Sequence, residues 1–174
     1  MAFSTTFLYA VSILNYRDQF KREFINIKEI SIGISSAAIL YFIFWLGKII
    51  LDKYGIIPNH NQNISSVYAN KESLPAWLVG ILLFFPIGFG EEMFWRGYLQ
   101  RLLSEKYNKW AGLVLTVILY TAVHIATLNP ILLIASFLVG IYWGLIFLWR
   151  GNIVAAVLSH MIWDMVIFVI IPLN

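Results

Sequence analysis

Cysteine is absent from the 174 residues, which excludes a disulfide framework, a thiolate nucleophile and any metal site built on Cys ligands. Charge is scarce as well. Asp, Glu, Lys and Arg together make up 12% of the chain, about half their share in a soluble domain. From Trp110 to Asn174 only Arg150 and Asp164 are charged, and the apolar runs around them are long enough to cross a bilayer. What is present is hydrophobic: 60% of the residues, with a mean hydropathy of +0.79. This is the composition of an integral, multi-pass membrane protein whose first partner is the lipid bilayer. The net charge of +3 does not point to nucleic acid, because the basic residues flank apolar segments as they do beside membranes.

The expected fold is all-α, a polytopic transmembrane helix bundle. An apolar stretch from Ala2 to Tyr16 has no basic residue before Arg17 and no small-residue cleavage pattern, so it does not read as a signal peptide. From Arg17 to Ile30, Phe20, Phe24 and Ile27 share a helical face while Arg17, Lys21 and Lys28 lie off it, which predicts an interfacial amphipathic helix. Five clear spans are predicted: Ser31 to Leu51, Leu74 to about Arg101, Trp110 to Leu128, Pro130 to Trp149 and Ile153 to Ile171, each of about 20 residues. Asp52 to Ser73 reads as a polar loop, and Asn129-Pro130 and Arg150-Gly151-Asn152 as tight turns. Residues 1–73 then hold the apolar segment, the amphipathic helix, the first clear span and the external loop, and residues 74–174 form a helix bundle of their own.

Arg17, Lys21, Arg22, Lys28, Arg101, Lys106, Lys109 and Arg150 fall on one side of these spans, against Lys53 and Lys71 on the other. The heavier side is expected to be cytoplasmic. His60 and the sequon Asn63-Ile64-Ser65 then lie outside. His60 is expected to be a solvated loop residue, and the sequon matters only in a pathway that glycosylates.

Ionisable residues inside spans cost about 2.5 to 3.5 kcal/mol each at the bilayer centre, so those retained need partners or a task. Glu92 and Arg96 are four apart and share a helix face, whereas Glu91 points about 100° away. Tyr120 with His124 and His160 with Asp164 repeat the four-residue spacing, giving three helices one polar patch each. At 1.5 Å per residue Glu91 lies roughly 15 Å, His160 roughly 14 Å and His124 roughly 22 Å from the cytoplasmic ends. Convergence of the patches near the midplane, in a cavity open toward the cytoplasmic half, is the expectation. Glu92 and Arg96 read as a supporting ion pair. Gly140 and Gly144 predict a close helix crossing within the bundle, and Trp95, Trp110, Trp149 and Trp163 read as packing residues or interface anchors.

Glu91-Glu92-Met93-Phe94-Trp95-Arg96 resembles the EExxxR motif of the CPBP family, the intramembrane CAAX-type proteases and bacteriocin-processing relatives. Tyr120-Thr121-Ala122-Val123-His124 resembles its FxxxH motif, and His160-Met161-Ile162-Trp163-Asp164 its final His-xxx-Asn/Asp motif. The three stand in the family's order, and the resemblance runs from about Leu74 to Phe168. It implies an intramembrane endopeptidase acting on a membrane-associated peptide or protein. Tyr120 replaces the usual Phe, adding a hydroxyl for a neighbour or for substrate binding, and Asp164 stands where Asn is frequent. Amide hydrolysis needs an activated water, an oxyanion stabiliser and a proton for the leaving amine. Glu91 is assigned as general base with His124 holding the water, and His160, aided by Asp164, as the group facing the oxyanion. The family is described both as metalloproteases and as metal-independent, and Glu91, His124 and His160 would suffice as three zinc ligands. HExxH spacing is absent. Two other functions remain open: a non-catalytic immunity or assembly factor of the same fold, and a small proton-coupled transporter, for which repeated or inverted halves are expected but not seen.

Overall fold

A computed structural model describes residues 8–14, 18, 23–69 and 74–173. They are helical with no strand among them, and four helices are long and apolar enough to cross a membrane. α1 is Ile27–Tyr54, α2 His60–Ala69, α3 Ala76–Lys106, α4 Lys109–Thr127, α5 Pro130–Arg150 and α6 Val154–Ile170. Residues 8–14 are also helical.

Asparagine sets three of the helix starts. The Asn26, Asn108 and Asn129 side chains each accept from backbone N–H groups of the first turn of α1, α4 and α5, satisfying donors that the helix itself leaves orphaned. Gly151, at φ +62°, ends α5 in the left-handed conformation that a Cβ disfavours, and the chain turns back into α6.

Four sequence expectations change. Residues 23–26 are not helical, because Asn26 is extended and caps α1; residues 27–30 of the expected amphipathic helix belong to the first span, and positions 17 and 19–22 lie outside the described residues. The Asp52 to Ser73 loop contains α2, whose Asn63 carbonyl and Ser66 hydroxyl accept from the Asn129 amide. His60 is not simply solvated: its Nδ1 donates to the Ile57 carbonyl and its Nε2 lies 3.0 Å from Asp52. The fifth expected span, α6, is shorter than the other four.

The core sits where α1, α3, α5 and α6 meet, around Leu40, Trp95, Trp143, Ala155, Ala156 and Trp163. Gly140 and Gly144 do mark a crossing inside the bundle. A Cβ on Gly140 would lie 3.3 Å from the Tyr120 ring, and one on Gly144 2.4 Å from Leu113 Cδ1 and 3.2 Å from Gln100 Oε1. The carbonyls thus brought near α3 accept from it in register: Gly140 from Arg96 at 3.1 Å and Gly144 from Gln100 at 3.0 Å. At the basic ends, residues 23–29 form a strap. Glu23 pairs with Arg101 and accepts from the Ile153 N–H, Asn152 donates to the Phe24 carbonyl, and Glu29 pairs with Arg150 at 2.6 Å.

Candidate active site

α3 carries Glu91, Glu92 and Arg96 at the middle of its length, and its backbone there is wider than an α-helix. π-helical turns cover 83–89 and 93–100, the first containing Pro86. Proline has no N–H to donate and clashes with the preceding turn, so a locally widened helix accommodates it. Gly88 lets α6 approach this turn, with a Cβ there meeting Met161 Cα at 3.2 Å. His160 is thereby brought against α3.

Seven polar side chains fall into two groups. The inner group is buried. Arg96 donates from Nη1 to Oε1 of Glu92 at 2.7 Å, and His160 Nδ1 donates to the same oxygen at 2.9 Å. Nε2 of His160 lies 3.5 Å from Oδ2 of Asp164, an ion-pair separation rather than a well-made hydrogen bond. Both ring nitrogens thus face acids. Trp143 closes the group from α5: its ring stacks on the His160 imidazole at 3.8 Å between centroids, and its indole N–H donates to Ser159 at 3.2 Å.

The outer group is half-buried. The Tyr120 hydroxyl donates to Oε2 of Glu91 at 3.1 Å. His124 Nδ1 donates to the Tyr120 main-chain carbonyl at 2.8 Å. Because a carbonyl can only accept, the neutral ring keeps its lone pair on Nε2. Tyr120 itself is buried, and the Arg96 guanidinium lies 5.1 Å over its ring. Arg96 therefore touches both groups.

The structure brings Glu91, Tyr120 and His124 together, and separately Glu92, Arg96, His160 and Asp164. Among the described residues no hydrogen bond or ion pair joins His160 or Asp164 to Glu91 or His124. Two participants escaped the sequence reading: Trp143, whose signal was its place three residues after Gly140 on the crossing face, and Gln100, one turn beyond Arg96 on the same face. Among the described residues no group of three His, Asp or Glu side chains is arranged to hold a metal ion. In this geometry Glu91, His124 and His160 do not form a three-ligand zinc site. An apolar cavity of about 330 Å³ between α1, α2, α5 and α6 includes Trp163 but none of the candidate catalytic side chains.

A family model described as type II CAAX prenyl endopeptidase Rce1-like matches residues 73–166. No curated protein and no solved structure matches the chain.

Proposed function

Because the chain belongs to the Rce1-like family of type II CAAX prenyl endopeptidases, we propose that it is an intramembrane endopeptidase hydrolysing a peptide bond of a membrane-associated protein or peptide. The observation that carries this reading is the pairing, through Tyr120, of a carboxylate with an imidazole whose Nε2 lone pair is unspent. Glu91 and His124 hold a water between Oε1 and Nε2. Glu91 takes a proton from it as the oxygen attacks the carbonyl carbon. The C–N bond of the tetrahedral intermediate then breaks, and the proton on Glu91 passes to the leaving amine, returning the carboxylate to its starting state. His160, as the imidazolium with its Nδ1–H on Glu92 and its Nε2–H held toward Asp164, stabilises the oxyanion by donating from Nε2. Glu92 fixes its ring through Nδ1, and the loose 3.5 Å contact at Nε2 leaves that edge open to exchange Asp164 for a substrate oxygen. Residues 74–174 supply all of these side chains, and the half-buried pair faces substrate arriving from the cytoplasmic half.

The test is reconstitution of purified protein with prenylated and unprenylated membrane peptides, reading product masses for wild type and Glu91→Ala. Cleavage by the wild type, lost in Glu91→Ala, is expected. Equal cleavage by both would remove Glu91 as the base, and no cleavage of any peptide by folded wild type would favour a non-catalytic member of the fold. A chelator is expected to leave turnover unchanged.

A further inference from the structure

One residue reaches both members of the water-activating pair by different atoms. The Tyr120 hydroxyl holds Oε2 of Glu91, and its main-chain oxygen holds Nδ1 of His124. The ring between these handles cannot swing. Its face lies 5.1 Å from the Arg96 guanidinium, Trp95 and His124 meet it edge-on, each at 5.1 Å between centroids, and Gly140 lies against its rim. Tyr120 is 4% exposed, whereas the two groups it holds are half-buried. A rigid buried residue thus carries two more exposed ones.

We infer that Tyr120 is the positioning residue of the water-activating pair, and not a substrate contact. The hydroxyl fixes the rotation of the Glu91 carboxylate, so that Oε1 faces the water, while the main-chain oxygen fixes the His124 tautomer. A free carboxylate would sample many rotations, of which few are productive, and holding reacting groups in one geometry lowers the barrier without new contacts to substrate. The inference rests on Glu91 being the base.

The hydroxyl can be removed without the ring. Tyr120→Phe keeps the packing and the main-chain oxygen, so it should melt close to wild type, keep KM and lose about tenfold in kcat. Tyr120→Leu removes the ring as well and should lower the melting temperature. Infrared difference spectra supply a readout independent of turnover: the carboxylate stretch identified by its loss in Glu91→Ala should shift in Tyr120→Phe, because a hydrogen bond to Oε2 has gone. Wild-type kcat and KM in Tyr120→Phe, with Glu91→Ala inactive, overturn the inference and leave the base assignment standing. An active Glu91→Ala overturns the base assignment itself. A raised KM at unchanged kcat makes Tyr120 a substrate contact, and an unmoved carboxylate band overturns the positioning role whatever the activity.

Discussion

Oε1 of Glu92 serves two donors, Arg96 and His160, so changing this one side chain releases both. Glu92→Gln is expected to destabilise the folded protein by about 3 to 5 kcal/mol, the cost of leaving a buried cation without its partner, and to lower turnover per folded molecule because His160 loses its anchor. Arg96→Gln should cost comparable stability yet keep most of the turnover, since the contact between Glu92 and His160 survives. Detergent melting beside specific activity separates the two, and a stable but inactive Arg96→Gln would put Arg96 in the chemistry. Asp164→Asn is expected to reduce turnover about 10- to 100-fold, the usual effect of losing a charged orienting partner; full activity in this variant would end the orienting role. The four-residue spacings made Glu92 with Arg96 and His160 with Asp164 legible in the sequence. Which glutamate meets His160 was not legible, because it depends on the rotation of α3 against α6, and that is set by Gly88 and the widened turns of α3.

Among the elements, α5 is the one on which the site leans, although it contributes no ionisable residue to it. Its glycines admit α3 and α4, its carbonyls accept from Arg96 and Gln100, and its Trp143 roofs His160. Gly140→Ala puts a methyl 3.3 Å from a ring that is fixed on several sides. It is expected to cost about 1 to 3 kcal/mol of stability and to lower activity with it. Gly144→Ala meets the end of the Leu113 side chain, which can turn aside, so its activity should stay nearer wild type. Melting and turnover of the two variants would check the contrast, and the reverse order would show that the Tyr120 ring has room to move. The small-residue spacing announced this crossing in the sequence. The break at residues 23–26 was hidden, because apolar periodicity persists through Phe24 and Ile27 while Asn26, one polar residue, starts the helix afresh.

The whole molecule is a multi-pass bundle, and the basic side is expected in the cytoplasm. Absence of cysteine gives a clean test: Gln62→Cys in α2 and Tyr107→Cys between α3 and α4 should react with an impermeant thiol reagent from opposite faces of sealed vesicles. Labelling of both from one face would overturn the topology. The strap at residues 23–29 has a bearing on how the molecule is made. Its partners lie far along the chain, Arg150 being 121 residues beyond Glu29 and Ile153 130 beyond Glu23, and α1 packs against α6. α1 therefore leaves the ribosome before α6 and waits in lipid until α6 has entered. Glu29 has no Arg150 to pair with until the end of α5 has emerged, and contacts between distant parts of a chain form late. A chain halted after α5 would expose the α1 face meant for α6, presenting quality-control proteases with a half-built bundle that completion of α6 conceals.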